Sequence, residues 1–126
     1  MKYTLAYALL NGVNIAVEVV TLLHLFKSTG DQHEDEQRAG IALLAFGVGS
    51  CIGAFLGGKL CDLMAVKKVA YVGHLAYGTA CLLSIIVASI DVFPLSCLAC
   101  LCWGFASSFV TTNEMVICSK LFEGRY

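Results

Sequence analysis

The stretch GSCIGAFLGGKLCDLMAVKK, residues 49–68, decides the fold of this chain. Its first half carries Gly49, Gly53 and Gly57, and a spacing of four residues places all three in one line on a helix. In an apolar segment such a line lets the backbone of a neighbouring helix approach closely, so that dispersion contacts hold the two helices together. Its second half ends in a pair of lysines, which is typical of the cytoplasmic end of a membrane helix. The stretch therefore predicts a tightly packed membrane helix followed by a charged turn.

The composition places the whole chain in a lipid bilayer. Of its 126 residues, 59% are hydrophobic and 13% are charged, and the mean hydropathy of +0.82 exceeds that of ordinary soluble domains. Four apolar segments are each near the roughly 20 residues that cross a hydrocarbon core; they are residues 3–26, 40–62, 69–90 and 94–118. Because a segment in lipid must satisfy its backbone hydrogen bonds internally, we expect an all-α, polytopic membrane protein of one domain with four transmembrane helices.

The basic residues predict the orientation, since Lys and Arg in short loops favour the cytoplasmic side. Both ends of the chain and the turn after the second segment carry bases. Residues 27–39 contain four acidic residues and are predicted to form an acidic outer loop, although Lys27 and Arg38 lie at its borders. We therefore expect an integral, multi-pass membrane protein with both termini in the cytoplasm.

The first segment carries the best candidate for a solute or proton path. Asn11, Asn14 and Glu18 recur at steps of three or four residues and so share one helix face. An ionisable residue near the bilayer centre is costly unless it faces protein or water, and such residues often line substrate paths or relay protons. A hydrogen bond from Glu18 to a neighbouring helix, with no transport role, explains the same residue equally well. These polar residues also argue against a cleaved signal peptide.

The fourth segment offers a counterpart to this polar face. Gly104, Ser107, Thr111 and Glu114 lie on one side of the predicted helix. We expect Ser107 and Thr111 to contribute to the same solute or proton path, and we interpret Glu114 as a hydrated acid near the helix end. The two polar faces are then able to face each other.

The chain lacks the residue patterns of metal sites and enzymes. Its seven cysteines fall in or beside apolar segments, where a free cysteine behaves as a small hydrophobic residue. Cys97 and Cys100 have the two-residue spacing of a zinc or redox pair, but no histidine has matching ligand spacing. We find no nucleophile paired with a base, no phosphate-binding glycine loop and no basic face for nucleic acid. We therefore expect no metal, no cofactor, no nucleic-acid partner and no enzymatic activity.

The turn after the second segment resembles the signature loop of the major facilitator superfamily. That loop reads Gly-x-Leu-x-Asp-Arg-x-Gly-Arg-Arg or Lys, and the matching positions here are Gly58, Leu60, Asp62, Lys67 and Lys68. The chain departs from the pattern at Leu63, which replaces a base, and at Ala65, which replaces the second glycine. The resemblance implies a gating loop in which Asp62 makes a contact that breaks when the transporter changes state. A local helix cap, or an ion pair with the nearby lysines, is the alternative for Asp62.

The resemblance also implies a function. A complete transporter of this superfamily has twelve helices in two halves of six, so four helices make about one third of the fold. We expect part of a secondary transporter that moves a small solute by alternating access, with the lipid bilayer and the remaining helices as its partners. The expected forms are a fragment, a truncated product or a reduced subunit. The degenerate loop and the lack of the arginine motif of the fourth helix favour equivalence to helices seven to ten.

A narrower similarity gives the alternative function. The run Trp103-Gly104-Phe105 and residues 119–126 are similar to the branch of the superfamily that is related to potassium-channel regulatory and endosomal receptor-trafficking proteins. That similarity implies a small membrane subunit that transports nothing and acts through helix packing in a larger complex, because a shared fold does not fix a function.

Overall fold

A computed structural model of the chain describes residues 31–90 and 92–123, with side-chain detail for all of these except Gln32, Val66, Lys67, Ala88 and residues 120–123. Three helices make up the described part, which contains no strand: α1 (Gln32–Leu63), α2 (Val66–Ile90) and α3 (Phe93–Glu123). The second, third and fourth predicted helices are thereby confirmed. The first predicted helix, residues 3–26, lies outside the described residues.

Helix α1 begins earlier than predicted, because most of the expected acidic loop is helical. Asp31 caps the helix by accepting a hydrogen bond from the backbone N–H of His33 at 3.1 Å. Glu34 and Asp35 occupy the first turn, where carboxylates interact favourably with the helix dipole. Glu34 also pairs with Arg38 one turn later, with an N–O distance of 2.7 Å. The prediction of a loop over residues 32–39 was therefore wrong, since the acids that suggested a loop stabilise a helix start.

A turn of two residues joins α1 to α2. Met64 is in an extended conformation, and its N–H donates to the carbonyl of Leu60 at 2.9 Å. The carbonyl of Ala65 accepts from the backbone N–H groups of Lys68 at 2.8 Å and Val69 at 3.3 Å, which starts α2. The turn forms although Ala65 stands where the superfamily pattern has glycine.

Helix α3 begins just after the second connection. Val92 precedes it, and its carbonyl accepts from the N–H groups of Leu95 at 3.0 Å and Ser96 at 3.2 Å. Pro94 is the second residue of the helix, where the missing N–H of proline has no intrahelical partner to lose. The single proline of the chain therefore favours the start of a helix here.

Helix α3 is the central element of the described chain. It packs along both α1 and α2, whereas α1 and α2 contact each other sparingly. Buried residues fall into two clusters. One lies near the α1–α2 turn and contains Cys61, Val69 and Phe109; the other lies further along α3 and contains Ala80, Trp103 and Ala106.

The outward sides of α1 and α2 are apolar and exposed. They include Phe55, which is 64% exposed, and Leu75, which is 74% exposed. All three described helices are long and apolar enough to cross a membrane. Apolar surface of this extent is suited to contact with lipid or with further helices.

Candidate functional site

The glycines of α1 form a seam with α3. A methyl group placed on Gly49 would overlap the backbone carbonyl of Leu101, and one placed on Gly53 would overlap that of Phe105. At Gly57 the added carbon would lie 3.3 Å from the carbonyl oxygen of Phe109. We call these contacts the α1–α3 seam. Only glycine allows two helix backbones to come this close, as the spacing of the row predicted.

The seam also fixes the relative direction of the two helices. Its contacts advance by four residues on both helices, from Gly49 and Leu101 to Gly57 and Phe109. The two helices therefore run parallel, with α2 antiparallel to both.

A fourth glycine completes the seam from the other side. A methyl group on Gly104 of α3 would overlap the carbonyl of Phe46 on α1 and lie 3.0 Å from the backbone nitrogen of Ser50. From its spacing, Gly104 was expected on a polar face instead. A single glycine in an apolar run gives no signal of its own, because a packing row needs at least two at helical spacing.

Polar and aromatic contacts hold the two ends of the seam. At the start of α1, the guanidinium carbon of Arg38 lies 5.4 Å from the centre of the Phe93 ring. At its end, the thiol of Cys61 donates a hydrogen bond to the side-chain oxygen of Asn113, with an Sγ–Oδ1 distance of 3.4 Å. Sequence reasoning missed both contacts, since each joins residues more than fifty positions apart.

The contact between α2 and α3 is made by side chains. The indole N–H of Trp103 donates to the hydroxyl of Ser84 at 2.6 Å, and that hydroxyl donates to the carbonyl of Ala80 at 2.9 Å. The ring of Tyr77 meets Trp103 edge to face, with 5.0 Å between the ring centres. Because Trp103 is fully buried, this acceptor removes the cost of leaving its N–H without a partner.

The polar residues of α3 differ in burial. Thr111 is exposed, while Ser107 and Glu114 are half-buried. The Thr111 hydroxyl donates to the backbone carbonyl of Ser107 at 2.9 Å. We call these three residues the polar side of α3. The described helices leave it partly open.

The proposed signature loop, residues 58–68, is only partly described. Asp62 and Lys68 are exposed, and the side chain of Lys67 is not described. A methyl group on Gly58 would meet no atom within 4 Å, so the packing of the described residues gives no reason for a glycine there. Among the side chains that the structure describes, no ion pair includes Asp62.

The predicted path residues of the first segment are outside the described part of the chain. Asn11, Asn14 and Glu18 all precede residue 31.

Comparison with known proteins decides the family. The family model of the Major Facilitator Superfamily matches residues 2–126, which is nearly the whole chain. The chain belongs to the Major Facilitator Superfamily. No curated protein and no solved structure matches it. Members of this superfamily are transporters and not enzymes, which places the chain among multi-pass membrane proteins of transporter type.

Proposed function

We propose that this member of the Major Facilitator Superfamily is part of a secondary transporter that moves a small solute across a membrane by alternating access. The match to the superfamily over residues 2–126 carries the proposal. The three membrane-length helices are in keeping with it, since carriers of this kind are built from helix bundles. In this assignment the described helices correspond to helices eight to ten of a twelve-helix carrier. The remaining helices belong either to a longer form of this chain or to other subunits.

The polar side of α3 supports a path for solute or protons. Glu114 carries a carboxyl group, and a carboxyl group that faces lipid is costly, so this side of α3 requires water, solute or a polar helix beside Glu114. The first segment carries Asn11, Asn14 and Glu18 at helical spacing. We assign Glu18 as the group that exchanges a proton with the path, and the hydroxyl groups of α3 as groups that contact the solute.

Replacement of Glu18 tests this function. The full assembly is reconstituted in vesicles that enclose a pH-sensitive dye, and organic acids, amino acids, sugars and organic cations are added in turn. We expect one class to drive proton flux, and Glu18→Gln to abolish that flux because the amide does not ionise and so cannot take up and release a proton. Ile85→Val, on the exposed side of α2, is the matched control and should transport normally.

The result separates transport from the alternative role. Flux that persists in Glu18→Gln contradicts the coupling role of Glu18. Absence of flux with every class contradicts transport and favours a regulatory or trafficking subunit. The exposed apolar sides of α1 and α2 suit that second role, since they offer surface for assembly with other helices.

The residues that suggested the narrower branch of the superfamily give little support for a regulatory role. Trp103 and Gly104 are both used in packing within the chain, one against Ser84 and the other against Phe46. Gly53 is likewise covered by α3, so its replacement would disturb the chain itself before any complex with a partner.

A further inference from the structure

We propose that a neutral hydrogen bond between Cys61 and Asn113, and not an ion pair of Asp62, holds the signature loop against α3. The inference rests on the proposed function only in treating that loop as a gate. Asn113 is then the residue of α3 that positions the loop. The superfamily pattern would assign this role to charged groups, of which this chain lacks the base at position 63.

Burial of the pair is the first support. Cys61 is 2% exposed and Asn113 is 4% exposed, and they lie at the end of the α1–α3 seam. Val69, in the first turn of α2, packs in the same cluster as Cys61. A hydrogen bond at this point therefore ties the last turn of α1 to α3 directly beneath the start of α2.

The energetics favour the neutral pair over a charged one. Asp62 is exposed, and exposed ion pairs contribute about 0–1 kcal/mol. A buried side-chain amide that loses its partner carries a desolvation cost of roughly 1–3 kcal/mol. Removing the Cys61 thiol while α1 and α3 stay packed would therefore cost more, through Asn113, than removing the charge of Asp62.

A neutral contact also has a distinct physical signature. An exposed ion pair weakens as salt screens it, with a screening length of about 10 Å at 0.1 M salt and about 3 Å at 1 M. The hydrogen bond of Cys61 to Asn113 carries no net charge and is insensitive to this screening. The dependence on salt concentration therefore distinguishes the neutral hydrogen bond from an ion pair.

The test uses a buried reporter thiol next to the pair. Cys51, Cys81, Cys97, Cys100, Cys102 and Cys118 are replaced by alanine, and Val69→Cys supplies the reporter, since Val69 is 1% exposed. Position 61 carries either Cys61→Ser, which keeps a donor, or Cys61→Ala, which has nearly the same volume and no donor. The rate of reaction with N-ethylmaleimide is measured on the full chain in membranes. We expect about a fivefold faster reaction with Cys61→Ala, as follows from the net value of one hydrogen bond.

Two further arms assign the effect to its cause. In an Asn113→Leu background, which lacks the acceptor, the difference between Cys61→Ser and Cys61→Ala should disappear. In the Cys61→Ser protein, neither Asp62→Asn nor 1 M salt should raise the rate. The emission of Trp103 reports whether each variant is folded.

Either of two results overturns the proposal. Equal rates for Cys61→Ser and Cys61→Ala with Asn113 present would show that the hydrogen bond does not hold the loop. A faster reaction in Asp62→Asn or at high salt would show that an ion pair does. The salt arm needs no variant beyond the reporter protein, so it decides even if Asn113→Leu fails to fold. The readout here is thiol reactivity and not transport. A failure of the flux experiment, which would contradict the proposed function, therefore leaves the outcome of this test unaffected.

Discussion

Gly53 has no room for a side chain. A methyl group there would overlap the carbonyl of Phe105, and the added carbon would also lie 2.9 Å from the Phe105 Cα. Both of these are backbone atoms of a helix, which cannot shift without moving the helix. The close approach therefore depends on the absence of one carbon atom.

Replacement of Gly53 by alanine should destabilise the chain. We expect Gly53→Ala to cost roughly 1–3 kcal/mol, because it forces two helix backbones apart. Gly47→Ala on the same helix is the matched control, since an added methyl group there meets nothing within 4 Å. Alanine should raise stability at that position, as it favours a helix interior by about 1 kcal/mol over glycine. Thermal unfolding in detergent, followed by Trp103 emission, measures both; equal shifts would contradict the seam.

What the sequence predicts at this scale is a pattern and not a partner. The spacing of Gly49, Gly53 and Gly57 predicts a close helix contact, because the period of a helix is known in advance. It does not show which helix fills the contact, since that depends on how α3 is oriented. For the same reason Asn113 and Ser84 gave no signal, being ordinary polar residues until their partners are seen.

At the scale of elements, the main feature is the parallel pair of α1 and α3. The tight turn makes α1 and α2 neighbours along the chain, yet the close backbone contact is between α1 and α3. The apolar length of the second, third and fourth segments predicted their helices well. It gave no information on the pairing, which is decided by where the glycines allow the closest approach.

Cross-linking should confirm the register of this pair. In a chain without native cysteines, Gly57→Cys with Phe109→Cys should form a disulfide under mild oxidation, because the carbon added at Gly57 lies 3.4 Å from the Phe109 Cα. Gly57→Cys with Leu101→Cys is the control and should not, since Leu101 lies two turns away on α3. Mobility on a non-reducing gel after protease cleavage between the helices measures the product. A cross-link of the control pair alone would contradict the parallel register.

At the scale of the whole molecule, the large exposed hydrophobic residues of the described helices lie mainly on α1 and α2, and α3 is the most buried of the three. The exposed hydroxyl of Thr111 lies on this central helix. This distribution predicts lipid or further apolar helices around α1 and α2, and an aqueous path beside α3.

Water access distinguishes these two surfaces. In a chain without native cysteines, Thr111→Cys tests the polar side of α3, and Phe55→Cys tests the exposed side of α1, where Phe55 is 64% exposed. A charged methanethiosulfonate reagent modifies thiolates in water and is excluded from hydrocarbon, where a thiol does not ionise readily. In the full assembly in membranes we therefore expect Thr111→Cys to react at least tenfold faster than Phe55→Cys. Both residues are exposed in the described chain, so a difference in their rates reports the surroundings and not packing within the chain. A Thr111→Cys thiol that stays unreactive would mean that another helix covers the polar side of α3, and faster reaction of Phe55→Cys would place the aqueous path along α1.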